Sequence, residues 1–477
     1  MFIGRQKELL YLNERYNSDK AELIVMYGRR RVGKTETLSE FFKGKSGIFF
    51  SCRQCANNIQ LESFSKALLG LNIPAKKYIS TFADWDSAFS AIGDIEGDEK
   101  SVIIIDEFPY MCKGDPSIPS ILQNLWDHKL SKSPVMLILC GSSMSFIEDD
   151  LLASSNPLYG RATGIYKMMP MPFEDVVKFC PDYSTEDKII LYSILGGIPH
   201  YLRQFDYSLP LSENIERQIL TKGTVLYNEV EFLLHQELRE TSLYNTLIEA
   251  IALGNTAFNQ IFMKTAIDKT KLSVYLRNLI KLGIIERDFP ILTGQKEHAG
   301  VGGGEYRLTD SFFRFWYAFA YGNISELEDG EAVRVFEKHI APNLHDFASG
   351  TFERVCIEWL KKQNRADLLA FDASGIGRWW GKVTQTDPSG KKITRTEEID
   401  IVAHNSQKSE FLIGECKFRN QPFDLGQFNA LAAKHTFEHV VGYYLFSLSG
   451  FTETLKTRAA DSDNIRLISA DTAADMR

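Results

Sequence analysis

The sequence predicts a multidomain α/β protein, and three observations lead to that fold class. The chain has 477 residues, which at roughly 150 residues per domain corresponds to about three folding units. Short apolar runs alternate with longer helical stretches between residues 22 and 141, as in a parallel sheet covered by helices on both faces. Hydrophobic residues make up 44% and charged residues 24% of the chain, the balance of a folded soluble protein rather than a disordered or fibrous one.

Changes of pattern along the chain predict four domains. They are a strand-rich core, a helical lid, a winged helix and a C-terminal α/β domain, at residues 1–172, 173–240, 241–322 and 323–477. The core contains four apolar runs that we expect to be strands, at residues 23–27, 48–52, 102–105 and 135–140. Three helices followed by two short strands are the element order of a winged helix. The acidic stretch 322–330 is an expected linker, and strands are expected in the last domain near residues 398–403, 411–418 and 440–446.

A phosphate-binding motif follows the first predicted strand. It fits the pattern GxxxxGK[ST] and consists of Gly28, Arg29, Arg30, Arg31, Val32, Gly33, Lys34 and Thr35. The glycines allow backbone N–H groups to curl round phosphates, Lys34 reaches the β and γ oxygens, and Thr35 can hold Mg2+. The motif predicts a P-loop NTPase sheet that binds ATP with Mg2+.

Polar residues at the ends of later strands complete this predicted site. Asp106 would bind the water shell of Mg2+, and Glu107 would act as the general base towards the attacking water. Ser142 follows the next strand and is either a polar sensor of the γ-phosphate or an ordinary turn serine. Arg161 is either an arginine finger, acting on its own site or a neighbour's, or a member of a surface salt bridge.

Two predicted strands near the C-terminus carry a second group of charged residues. Glu415 and Lys417 share one strand face because side chains alternate along a strand. If the hairpin closes with a four-residue loop at 406–409, Asp400 lies opposite Glu415. Two carboxylates and a lysine suit Mg2+-assisted phosphodiester hydrolysis, with Asp400 and Glu415 as metal ligands and Lys417 orienting or deprotonating water.

Several motifs together resemble the archaeal-type ATPase family of archaea and bacteria, which is related to the AAA+ and STAND groups. They are Phe2-x-Gly4-Arg5-x-x-Glu8, the P-loop at 28–35, Asp106-Glu107, Gly160-Arg161 and the segment 196–201. The resemblance covers the whole chain. It implies that residues 2–8 pack near the adenine and that residues 196–201 lie in the lid. It also implies a winged helix and a C-terminal domain similar to PD-(D/E)XK nucleases, a restriction-endonuclease-like fold.

In that C-terminal domain the resemblance adds two residues to the predicted site. Glu353 matches the helix glutamate that completes the acidic metal cluster, and Gln427 matches a downstream glutamine. The sequence departs from the family pattern at Ile399, where a proline usually precedes the aspartate, so the signature is weaker although no ligand is lost. A fold does not guarantee its chemistry, so both an active and an inactive nuclease-like domain stay open.

Two basic segments predict DNA as a partner. The predicted third helix of the winged helix and its surroundings carry Lys264, Lys269, Lys271, Arg277 and Lys281, with Ser273 and Tyr275 placed to approach base edges. A basic, aromatic loop at 376–396 contains Arg378, Trp379, Trp380, Lys382, Lys391, Lys392 and Arg395. The alternatives are a solvated helix in a docking domain and tryptophans that belong to a local core.

Composition limits the remaining possibilities. The net charge of -8 excludes a uniformly basic nucleic-acid coat. The longest apolar runs are too short to cross a membrane and the N-terminus lacks a secretory signal, so we expect a cytoplasmic protein with seven reduced cysteines. The prediction is an ATP-hydrolysing protein that binds DNA and carries a nuclease-like domain. The alternative is a nucleotide-switched, STAND-like regulator with an inactive nuclease fold, and a homo-oligomer and a protein partner stay open.

Overall fold

The computed structural model describes residues 2–97, 99–293, 304–386, 392–434 and 437–475. The chain folds into two compact units. The first is Met1–Met171 with Ile198–His200, and the second is Pro172–Gly197 with Tyr201–Arg477. The boundaries proposed from sequence at residues 172, 240 and 322 stay predictions.

A five-stranded sheet forms the centre of the first unit. All its strands are parallel and their order is β2-β3-β4-β1-β5. The strands are β1 (Glu22–Tyr27), β2 (Gly47–Ser51), β3 (Ser101–Asp106), β4 (Val135–Gly141) and β5 (Gly164–Lys167). Every residue of β1, β3 and β4 is buried, which explains the apolar runs at residues 23–27, 102–105 and 135–140. The parallel sheet has the architecture of a P-loop NTPase.

Helices enclose this sheet and bury both of its faces. Those of the first unit are α1 (Gln6–Tyr16), α2 (Lys34–Phe42), α3 (Asn57–Leu68), α4 (Trp85–Ser90), α5 (Phe108–Gly114) and α6 (Ile118–His128). One core cluster contains Leu23 and Val25 of β1, whereas Ile24 and Met26 belong to the other. This alternation follows from the strand repeat of two residues, and it confirms the doubly covered sheet.

The second unit begins with helices. They are α7 (Phe173–Val176), α8 (Thr185–Leu195), α9 (Pro199–Leu202, which crosses from the first unit), α10 (Leu211–Asn214) and α11 (Glu229–Glu237). Three helices and an antiparallel pair of strands follow: α12 (Thr241–Ala252), α13 (Phe258–Thr265), α14 (Lys269–Lys281), β6 (Ile285–Asp288) and β7 (Glu305–Leu308). Ser184 caps α8 and Asp268 caps α14, each accepting a backbone N–H of the first turn.

The acidic stretch expected to be a linker is packed structure. The preceding aromatic helix α15 (Ser311–Phe315) buries three phenylalanines completely, at positions 312, 313 and 315. Helix α16 (Ile324–Glu328) occupies the acidic stretch itself, and Leu327 is 1% exposed. Glu328 accepts the hydroxyl of Tyr227 at 2.6 Å and pairs with Lys222. The linker expectation was wrong because Leu327 is buried and Glu328 is held by two residues of the turn segment before α11.

A mixed sheet completes the second unit, in the order β12-β11-β10-β9-β8. Its strands are β8 (Gly375–Thr386), β9 (Lys392–His404), β10 (Phe411–Lys417), β11 (Val440–Ser447) and β12 (Ile465–Ser469). The helices beside it are α17 (Ala332–Val335), α18 (Leu344–Arg365), α19 (Leu425–Ala432), α20 (Glu453–Ala460) and α21 (Ala470–Ala474). Within the segment expected to be a basic loop, residues 376–386 and 392–396 belong instead to the antiparallel strands β8 and β9. Together the two sheets confirm the multidomain α/β fold class.

Among the residues that the structure describes, no helix is both long enough and apolar enough to cross a membrane.

Candidate functional site

The phosphate loop of the first unit lies between the end of β1 and the start of α2. Gly28 needs the absence of a side chain, since a Cβ there would lie 2.4 Å from the carbonyl oxygen of Met168. Gly33 has φ +94°, in the left-handed region that favours glycine, and it directly precedes α2. The loop is therefore a tight backbone turn against a helix N-terminus, the arrangement that binds phosphates.

Lys34 is folded back into this loop. Its side chain is buried, and its ammonium group donates to the carbonyl oxygens of Gly28 at 2.8 Å and Arg29 at 3.0 Å. Burial lowers the pKa of Lys34 below its usual value, against the opposing effect of nearby groups that include Glu107 and Asp106. A buried cation whose ammonium group donates to two loop carbonyls is well placed to exchange them for phosphate oxygens.

The side chains of Thr35, at the start of α2, and Asp106, at the end of β3, form a hydrogen bond. The Thr35 hydroxyl donates to Oδ2 of Asp106 at 2.7 Å. The other carboxylate oxygen, Oδ1, accepts the backbone N–H of Glu107 at 3.0 Å. Asp106 is 4% exposed and ends β3, so the sheet brings the phosphate loop and the predicted acidic residue together.

Glu107 is held by Ser142. The serine hydroxyl lies 2.9 Å from Oε1 and 3.0 Å from Oε2 of the glutamate. The backbone of Glu107 is left-handed, with φ 52°, at the start of α5. Ser142 follows β4, which pairs directly with β1, the strand that leads into the phosphate loop. Ser142 thus contacts the expected base in this structure, and its role as a γ-phosphate sensor stays a prediction.

Arg161 forms the surface ion pair that was the alternative to an arginine finger. Its guanidinium lies 3.1 Å from Oδ2 of Asp127 and also donates to the carbonyl of Tyr159. Both side chains of the ion pair are about one third exposed. The finger role stays a prediction.

The sequence motifs did not indicate what Arg5 does. This residue was notable only as part of the N-terminal motif, yet its side chain is 3% exposed and donates to the carbonyl of Val32 within the phosphate loop at 2.6 Å. Its signal in the sequence is weak, since Gly4-Arg5 before a helix is an ordinary turn. The role of Arg5 becomes apparent only from its burial and its contact with the loop in the folded structure.

The predicted carboxylates of the second unit do converge. Strands β9 and β10 pair with Ile401 opposite Gly414, so the next position places Asp400 opposite Glu415. The backbone N–H of Cys416 donates to Asp400 Oδ2 at 2.8 Å, and Lys417 pairs with Glu415. The hairpin geometry expected from sequence is therefore present.

Glu353 of α18 is close to this pair but already has a partner. Its Oε2 lies 3.2 Å from Nε of Arg378 on β8. Burial and the charge of Asp400 raise the pKa of Glu353, and burial and the charge of Glu415 raise the pKa of Asp400. Among the described residues no three His, Cys, Asp or Glu side chains are grouped tightly enough to hold a metal ion. The assignment of Glu353 as a metal ligand stays a prediction.

The basic surfaces differ in part from expectation. Lys269, Lys271, Ser273 and Arg277 of α14 are exposed, but Tyr275 is buried beside Tyr244 and donates to Glu240. Tyr275 is therefore not available to bases. Trp379 packs with Phe437 in the C-terminal core, whereas Trp380 lies beside Arg307. Lys391 and the side chain of Lys392 lie outside the described residues.

Comparison with known proteins decides the family. A model described as an ATPase domain predominantly from Archaea matches residues 2–205, and a model of archaeal and bacterial proteins of unknown function matches residues 316–450. An uncharacterized protein of Methanocaldococcus jannaschii is 32% identical over 421 residues, which are 88% of each chain. The chain belongs to the archaeal ATPase family.

Shorter and more distant similarities accompany this archaeal ATPase assignment. An uncharacterized ATP-binding protein of M. jannaschii is 49% identical over 45 residues, 9% of this chain and 76% of that protein. The Walker-type ATPase of Pyrococcus abyssi is 20% identical, with TM-score 0.49, over 66% of this chain and 96% of the other. The ORC2 protein of Aeropyrum pernix is 11% identical, with TM-score 0.42, over 69% and 95%.

Proposed function

We propose that this archaeal ATPase family member hydrolyses ATP in the presence of Mg2+ at the phosphate loop. The observation that supports it most is the 2.7 Å hydrogen bond between the Thr35 hydroxyl and Asp106. A hydroxyl at the start of α2 and a carboxylate at the end of β3, which β4 separates from β1 in the sheet, are the paired oxygen ligands that Mg2+ takes beside nucleotide phosphates.

The chemistry of the site fits that ion. Both candidate donors are oxygens, which Mg2+ prefers, and Lys34 supplies a positive charge beside them. The absence of a Cβ at Gly28 lets the loop backbone pack directly against the carbonyl of Met168, and Gly33 takes the left-handed backbone that the turn into α2 requires. When bound, Mg2+ neutralises charge on the phosphate oxygens.

The remaining side chains have separate tasks. Lys34 binds the β and γ oxygens and thereby attracts and orients the nucleotide. Glu107 accepts the proton of the attacking water, and Ser142 keeps its carboxylate in one orientation through the two contacts near 3 Å. Binding and hydrolysis thereby depend on different residues, which can be tested independently.

The test compares two substitutions with the wild type. Glu107→Gln should retain ATP binding and lower the hydrolysis rate by roughly 100-fold or more, because an amide cannot take the water's proton. Lys34→Ala should weaken ATP binding itself, because it removes the charge that faces the phosphates. Calorimetry measures binding and phosphate release measures hydrolysis, each with Mg2+ and again with EDTA. Equal hydrolysis by wild type and Glu107→Gln, or full activity in EDTA, would reject the proposal.

Cleavage of DNA by the C-terminal domain is the second candidate function. The observation that favours it is the convergence of Asp400, Glu415 and Lys417 on adjoining strands. Two carboxylates concentrate a divalent cation and a lysine beside them can orient water. The exposed basic face of α14, in a three-helix and hairpin segment that we interpret as a winged helix, supports DNA as the substrate. The alternative is the nucleotide-switched regulator with an inactive nuclease fold, and a DNA cleavage assay distinguishes the two.

A further inference from the structure

Arg5 joins the phosphate loop to the segment that follows β5. Its guanidinium donates to the carbonyl oxygen of Val32 at 2.6 Å and to that of Met169 at 2.7 Å, and it pairs with Glu8 at 3.0 Å. Val32 lies in the second half of the loop. Met169 follows Met168, whose carbonyl faces Gly28 at the beginning of the loop. The Arg5 side chain therefore contacts the second half of the loop directly and, next to Met168, the segment that packs against the first half.

The local structure of Arg5 has to be held in place by its surroundings. Gly4 has φ 71° and Arg5 has φ 64°, so two consecutive residues are left-handed before α1 begins. This backbone is unfavourable for a residue with a Cβ. The guanidinium is also 3% exposed, and removing a charge from water is costly unless hydrogen bonds compensate it. The acceptors on Val32, Met169 and Glu8 provide that compensation.

The hydrogen bond to Val32 fixes the orientation of one peptide group. In a planar trans peptide the carbonyl of Val32 and the N–H of Gly33 point in opposite directions. Holding the carbonyl towards Arg5 therefore turns the Gly33 N–H away from it. We propose that Arg5 is a positioning residue that sets the Gly33 N–H, and with it the phosphate loop, in the phosphate-binding orientation. This inference rests on the proposed nucleotide site but assigns Arg5 no contact with the nucleotide.

The experiment compares Arg5→Lys with Arg15→Lys. Lysine keeps the charge but lacks the planar fork that reaches two carbonyls at once. Arg5→Lys should weaken ADP binding about tenfold, which is the effect of losing a hydrogen bond to a charged group. It should also speed amide hydrogen exchange in residues 28–35 of the nucleotide-free protein. Arg15→Lys makes the same change on α1, where the guanidinium donates to Glu22 and to the carbonyl of Thr163, both outside the phosphate loop. ADP affinity and loop exchange should therefore be unchanged in this variant. Thermal melting checks that both variants are folded at the assay temperature.

The outcomes separate the inference from the proposed function. If wild type does not bind ADP, the proposed nucleotide site is wrong. The rate of amide hydrogen exchange in residues 28–35 then tests by itself whether Arg5 positions the loop. If wild type binds ADP and Arg5→Lys binds equally with unchanged loop exchange, the positioning role is wrong. Equal weakening in both variants, or loss of folding in both Arg5→Lys and a second variant, Arg5→Gln, would make Arg5 a structural residue and also overturn the inference.

Discussion

At the scale of single residues, the contact between Ser142 and Glu107 carries a prediction. Ser142→Ala removes the hydroxyl that holds both carboxylate oxygens. The freed glutamate samples other rotamers, so kcat for ATP hydrolysis should fall about tenfold, whereas ATP affinity should change little. Steady-state phosphate release and calorimetry check the two quantities.

The next residue in the chain, Ser143, provides a matched control for this prediction. Ser143→Ala removes an equivalent hydroxyl but leaves Ser142 beside Glu107, so it should hydrolyse ATP at the wild-type rate. If Ser142→Ala also keeps the wild-type kcat, the serine does not position the base, and its interpretation as an ordinary turn residue is favoured.

The residues of the two candidate sites were unequally predictable from sequence. Asp400 and Glu415 are joined by one hairpin, so strand alternation and loop length were enough to place them opposite each other. Arg5 acts on partners 27 and 164 positions away in the chain, at Val32 and Met169. No local pattern links such positions, because only the folded sheet brings them together.

At the scale of elements, burial explains why β3 and β4 were predicted from the sequence as strands and β8 was not. β3 and β4 are buried along their whole length and read as continuous apolar runs. β5 is an edge strand of four residues with only its first residue buried, and β8 is an edge strand that carries Arg378 and Lys382. Edge strands expose charged side chains, so their sequences are easily mistaken for loops.

Helix α14 carries a prediction at this scale. Lys271 and Arg277 are exposed on it, and replacing both by alanine should weaken DNA binding irrespective of sequence and reduce the slope of log affinity against log salt by about 2, roughly 1 for each lost phosphate contact. Fluorescence anisotropy across a salt series measures both effects. The control pair Lys20→Ala and Lys43→Ala removes the same charge elsewhere and should change neither. An unchanged slope in the α14 variant would favour a docking role for this domain.

At the scale of the whole molecule, the two candidate chemistries lie in separate compact units. The phosphate loop, Asp106 and Glu107 belong to the first unit, and Asp400, Glu415 and Lys417 belong to the second. Their residue sets do not overlap, so each site can be disabled while the other is measured. Length and alternating pattern were sufficient to predict this multidomain α/β organisation, but not the chemistry of the second unit, since a fold accommodates both active and inactive sites.

The decisive prediction for the second unit uses Asp400→Asn. Asparagine preserves the size of the side chain and an oxygen for the Cys416 N–H, but it lacks the charge that attracts a cation. With Mg2+ and ATP, wild type should nick supercoiled plasmid and the variant should not. Glu415→Gln and the double variant should be no worse than Asp400→Asn, because members of one catalytic unit fail together. ATP hydrolysis should survive in all three variants. If wild type hydrolyses ATP yet leaves duplex, single-stranded and branched DNA intact with either Mg2+ or Mn2+, the converged carboxylates are inactive, and the nucleotide-switched regulator is the function to pursue.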